Sequence, residues 1–123
     1  MATFAGLTRD TFDGKRVRYL GYECYRAMAL HQMQILCQDL FQKYSSLRGL
    51  VIYHRVGEVP AGECSVLIVA ASPHRVHALQ AAAEGIDLVK TRVPIWKKEF
   101  YEGEDGEIDG SAWKQNAEYE LLL

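Results

Sequence analysis

Residues 89 to 100 read VKTRVPIWKKEF, where Lys90, Arg92, Lys97 and Lys98 put four cations into nine positions around an apolar Val-Pro-Ile-Trp run. The whole chain has a formal net charge of −2 over 123 residues, so this is a local concentration of positive charge. A lysine that is partly desolvated and close to other cations loses some of its preference for the charged form. That is how a lysine becomes an acid, base or nucleophile near neutral pH. Lys90 fits because it ends an apolar series at helical spacing, Val76, Leu79, Ala83 and Ile86. It fits equally well as the cation that favours a helix C-terminus. Lys97 and Lys98 would alternate on a strand, one facing in and one out. Spacing alone leaves both readings open.

A second group is Ser72-Pro73-His74-Arg75. Ser as N-cap with Pro at the first helical position predicts a helix start. The unpaired N–H groups and partial positive charge there disfavour cations unless an anion binds, in which case amides, dipole and side chains act together. The alternative is that Arg75 points to solvent and His74 packs as a neutral ring. His77 lies one turn further on, but two histidines without a third ligand do not make a metal site. Arg9 closes the first predicted strand beside a turn. The chain contains no G-x-G-x-x-G, Walker lysine, G-x-S-x-G or H-E-x-x-H, which removes the common nucleotide, hydrolase and zinc-protease readings.

The elements that must position these groups follow from periodicity. TFAGLTR is a predicted strand, Asp10–Gly14 a turn, and KRVRYLGYE the second arm of a hairpin. From Tyr25 to Leu47 the period becomes helical, with Ala29, Met33, Leu36, Leu40, Tyr44 and Leu47 on one apolar stripe. Gly49 ends that helix and LVIYHRV is a β-branched strand. GEVPAGE is expected to be a loop, because Gly57, Pro60 and Gly62 interrupt regular structure. SVLIVAA is expected to be a central strand buried on both faces. A second helix runs from Ser72 toward Pro94, which stops it, and PIWKKEF is extended. YEGEDGEIDGSAW is expected to be a solvated acidic loop. The resulting class is α+β (mixed α/β), one domain over 1–123, with a mixed or antiparallel sheet and two main helices.

Composition is compatible with one soluble domain: 49% hydrophobic and 24% charged residues. The charge balance gives no drive toward nucleic acid or membrane, and no apolar run approaches the roughly 20 residues of a membrane helix. Cys24, Cys37 and Cys64 are odd in number and widely spaced, which points to a reducing compartment, the cytosol.

Taken jointly, TFAGLTRDTFDGKRV, LGYECYRAMA, HRVGEVPAGECSVLIVAASPHR, IDLVKTRVPIWKKE and a W-K-x-N at Trp113–Asn116 closely resemble the large, catalytic subunit of molybdopterin synthase. The likeness covers nearly the whole chain, and the turn Thr11-Phe12-Asp13-Gly14-Lys15 is similar to eukaryotic members. The resemblance implies the family's α/β hammerhead fold and a sulfur transfer. Cyclic pyranopterin monophosphate becomes molybdopterin by receiving two dithiolene sulfurs. The sulfur comes from the thiocarboxylated C-terminal Gly-Gly of a small ubiquitin-like subunit, within a heterotetramer built on a self-dimer. By matching position, the resemblance implies Lys90 and Lys97 as catalytic residues. It places Arg9, His74 and Arg75 on anion-binding positions, and Lys98 and Glu99 beside the substrate pocket. No metal and no cofactor are implied for this step. The Glu120-Leu121-Leu122-Leu123 end offers no Gly-Gly, so the chain is expected to be the acceptor subunit and not the carrier. The family's initial helix and the start of its first strand are expected to be missing before Phe4. A non-catalytic module that binds a ubiquitin-like tail or a phosphorylated ligand is the alternative.

Overall fold

A computed structural model describes residues 1–102 and 108–115. Its elements are β1 (Ala2–Leu7), β2 (Thr11–Phe12), β3 (Lys15–Cys24), α1 (Arg26–Lys43), β4 (Gly49–His54) and β5 (Gly57–Pro60). They continue with β6 (Cys64–Ala71), α2 (Arg75–Arg92), β7 (Ile95–Glu102) and β8 (Ile108–Gln115). The α+β class is as expected, but the strands form two sheets, and every pairing is antiparallel. One sheet has the order β1-β6-β4. The other runs β2-β3-β7-β8, with β5 also paired to β3.

The first sheet and the helices share the main core. Ile68 and Ala70 of β6 are buried with Leu36 and Leu40 of α1 and with Ala78, Ala81, Ala82 and Val89 of α2. The α1 stripe is where periodicity places it: Ala29, Leu36 and Leu40 are buried, and Met33 and Tyr44 pack against them. The helix stops at Lys43, and Leu47 enters the core from the following turn. Strand β6 is central, as expected, yet from Val66 onward only alternate residues are buried, because the helices cover one face.

Four expectations are corrected. Strand β1 does not pair with KRVRYLGYE; it crosses to β6, with Ala2 opposite Ala70 and Gly6 opposite Val66. The hairpin arm is instead the two-residue β2, joined to β3 through Asp13 (φ 55°) and Gly14 (φ 75°), the paired positive φ values of a tight turn that matches strand twist. GEVP is a strand, because Gly57–Pro60 lies at the edge of β3, where a proline without an N–H is tolerated. Helix α2 begins at Arg75, with His74 as its cap residue, although the Ser72 hydroxyl still accepts the His74 N–H at 3.1 Å. Its inner face is Ala78, Ala81, Ala82, Gly85 and Val89, and Val76 and Leu79 are exposed. The small residues let the helix lie close over Ile68 and Leu40, so the bulkier series is not the buried one.

The second sheet has a smaller core of Val17, Leu20 and Tyr101, with Phe12 and Tyr22 packed against it. A bulge at Arg18 of β3 shifts the β3–β7 register, which puts Val17 and Leu20 on the same side despite their odd separation. The acidic segment is also corrected in part. Tyr101 and Glu102 belong to β7 and Ile108–Gln115 forms β8, whereas 103–107 lie outside the described residues. Of the W-K-x-N motif, Asn116 lies outside them too.

Candidate active site at the seam of the two sheets

A cavity of about 770 Å³ opens where the two sheets meet. Strand β1 contributes Phe4 to Leu7, β6 contributes Ser65 and Val66, and the end of α2 contributes Ile86, Val89 and Lys90. From the other sheet come Tyr22 of β3 and Ile95 and Lys97 of β7, and Arg9, just beyond β1, also lines it. Gly6 makes the close approach of β1 possible: a Cβ there would lie 2.7 Å from Val66 Cγ1.

The two lysines meet through the helix-to-strand turn. The amide of Val93 donates to the Val89 carbonyl as the last helical bond, and the buried pair Val93-Pro94 turns the chain into β7. Lys90 thus points from the last turn of α2, and Lys97 from the inward face of β7, where it lies opposite Tyr22. The strand alternation separates Lys97 from Lys98, whose ammonium sits 5.5 Å from the Phe100 ring centroid on the other face. Lys98 is not part of the cavity wall.

Glu99 shares the inward face of β7 but is only 1% exposed, and its carboxylate is used inside the protein. Tyr101 Oη donates to Glu99 Oε2 at 2.5 Å, and Arg9 Nη2 lies 3.9 Å from Oε1. The carboxylate keeps the Tyr101 proton in place and pushes its pKa up to about 12. Arg9 is further steadied over the Phe12 ring, 4.6 Å from its centroid. Glu99 is therefore set behind Arg9 and not in the pocket wall.

His74 and Arg75 are at the opposite end of α2 from Lys90. At 1.5 Å rise per residue, fifteen residues amount to about 22 Å, so one chain does not bring SPHR to this cavity. There Ser46 Oγ lies 2.9 Å from Ser72 Oγ and 2.7 Å from His77 Nδ1, and the His74 and His77 rings meet edge to face.

Sequence reasoning missed Tyr22, His54 and Ser65, all of which line the cavity. Burial raises the Tyr22 pKa, with a hydrogen bond to Ser65 working in the opposite direction. Burial also lowers that of His54, against the effect of its bond to the Arg55 carbonyl. The available signal was alternation: Leu50, Ile52 and His54 share one face of β4, and the first two pack on the core. Among the described residues no three His, Cys, Asp or Glu side chains converge as a metal site. No helix among them is long and apolar enough to cross a membrane.

Comparison with known proteins places this arrangement. A family model described as "MoaE protein" matches residues 1–92. The molybdopterin synthase catalytic subunit of Drosophila willistoni is 50% identical over 117 residues, 95% of this chain and 30% of that protein. The chain thus spans about a third of the length of such curated relatives. The crystal structure of molybdopterin synthase from Staphylococcus aureus superposes with a TM-score of 0.83 at 34% identity, covering 92% of this chain and 77% of that one. A Helicobacter pylori complex of subunits 1 and 2 of molybdopterin-converting factor matches with a TM-score of 0.67 at 26% identity, over 80% of this chain and 63% of that one.

Proposed function

The chain belongs to the MoaE protein family, and on that premise we propose that it is the catalytic subunit of a cytosolic molybdopterin synthase, acting as one domain of that kind. It transfers sulfur from the thiocarboxylated tail of a small ubiquitin-like subunit to cyclic pyranopterin monophosphate. The observation that carries this reading is the cavity in which Arg9, Lys90 and Lys97, from three separate segments, face one volume. A substrate bearing a cyclic phosphate needs fixed cations, and a guanidinium held by Glu99 and Phe12 is a directed one. Release of the spent tail builds charge on its carbonyl oxygen, which a nearby ammonium stabilises. Displacement of oxygen from the substrate needs a proton donor within reach. Lys90 and Lys97 supply both functions.

His74 and Arg75 enter this scheme through a self-dimer. Because α2 carries them away from the cavity of their own chain, they serve as anion ligands only if a second copy presents them to it. Mixing an Arg75→Ala chain with a Lys90→Ala chain is the test. If sites are shared, mixed dimers regain product formation that neither variant shows alone; no recovery rejects the shared site.

The whole reading is tested by reconstitution. The chain is mixed with the thiocarboxylated small subunit and cyclic pyranopterin monophosphate, and complex mass and molybdopterin are measured together. Formation of the complex with no product would leave the binding-module alternative in place of the enzyme.

A further inference from the structure

Beyond the two lysines, the cavity holds a side chain whose chemistry is fixed by its surroundings. His54 is the last residue of β4, and its Nδ1 lies 2.6 Å from the backbone carbonyl oxygen of Arg55. A carbonyl oxygen only accepts, so Nδ1 carries the proton and the neutral ring keeps its lone pair on Nε2. That carbonyl belongs to a pinned residue. The Arg55 amide donates to Ser65 O at 2.9 Å, and its guanidinium donates to Cys64 O at 3.2 Å and to Glu63 Oε1 at 2.9 Å. The Tyr22 ring meets the imidazole edge-on, with centroids 5.0 Å apart and planes at 76°, which fixes its tilt.

We infer that His54 is the proton acceptor of this cavity, taking a proton at Nε2 from the water that releases the spent tail. The inference rests on the sulfur-transfer reading above. Each transfer leaves the tail's acyl carbon bonded to the sulfur now on the pterin. As the water oxygen bonds to that carbon, one O–H proton passes to Nε2. The carbon–sulfur bond then breaks with its electron pair on sulfur, which stays on the pterin as a thiolate. The tail leaves as a carboxylic acid that ionises to solvent, and the imidazolium gives its proton back to water.

The other titratable and charged groups lining the cavity are Tyr22 from β3, Lys97 from β7, Lys90 from α2 and Arg9 beyond β1. Three of these are basic, and burial independently holds the His54 pKa below its ordinary value. A neutral imidazole is therefore the acceptor available near pH 7, while the lysines serve as cations and donors.

The test is single-turnover product formation in the reconstituted complex across pH 5 to 9, with wild type and His54→Gln. Glutamine keeps a polar group of similar reach and cannot take up the proton. The expected result is a rate lower by about 10²- to 10⁴-fold, loss of the acid limb of the pH profile, and an unchanged mass of the complex. A second measurement covers a variant that folds poorly: NMR titration of the His54 ring in the wild-type complex, whose midpoint is expected to match the acid limb of the wild-type rate. Equal rates and profiles in wild type and variant, or a titration that does not match the limb, overturn the role of His54 alone. Wild type that yields no product overturns the sulfur-transfer reading and this inference together.

Discussion

The two sheets are held together by different physics. Around β1-β6-β4 the core is a continuous apolar cluster, with Leu36, Ile68, Ala70 and Ala81 fully enclosed between sheet and helices. Around β3 and β7 the buried set is short, and its centre is polar: Glu99 is enclosed beside Tyr101 and Arg9. The first half depends on volume and the second on satisfied hydrogen bonds. A cavity between them thus receives apolar lining together with Lys90 from the helix-covered half, and Lys97 with the Glu99-held Arg9 on the polar side. That division is what lets a mildly acidic chain hold three cations around one space.

The comparison can be broken at several strengths. Leu40→Ala removes a fully enclosed side chain from the apolar half and is expected to cost about 2–5 kcal/mol in urea unfolding; a loss below 1 kcal/mol would mean that the core closes over the gap. Tyr101→Phe removes the donor to a buried carboxylate and is expected to cost about 1.5–3 kcal/mol. The pH dependence follows the same group. With its pKa raised from the ordinary 10 to about 12, the stability that Tyr101 contributes is complete below pH 10 and disappears as pH rises through 12. Thermal melts of wild type and Tyr101→Phe should therefore converge over that window, and parallel curves would detach the tyrosine from Glu99. Arg92→Ala breaks the exposed pair with Asp39, 2.8 Å apart, and is expected to cost only about 0.2–1 kcal/mol, falling further in high salt.

The same contrast explains what could be read in the sequence. Helix α1 was legible because its core face is made of large residues at helical spacing, Leu36 and Leu40 among them. The turn from Lys90 to Lys97 was legible because Pro94 must stop the helix and strand alternation must part Lys97 from Lys98. Helix α2 was legible but its buried face was misassigned, because a face of alanines and one glycine gives a weak hydrophobic signal even when close packing buries it. Strand β1 was misplaced because its partner, β6, lies some sixty residues away, and local patterning says nothing about such pairings. Glu99 was placed beside the pocket by resemblance, and alternation turns it inward with Lys97; that Tyr101 and Arg9 occupy its carboxylate follows only from the fold. His54 was overlooked for the related reason that its role depends on the Arg55 carbonyl and on a cavity assembled from distant segments.

The central claim is that the seam between the sheets is where the chemistry occurs, with Lys90 in contact with the reacting groups. It is tested most directly by Lys90→Ala in the reconstituted complex, with molybdopterin formation and the melting temperature measured on the same sample. The account predicts product formation reduced by about 10²-fold or more, with the melting temperature essentially unchanged, because the Lys90 side chain is exposed and outside the core. Product formation at the wild-type rate from that variant would contradict it.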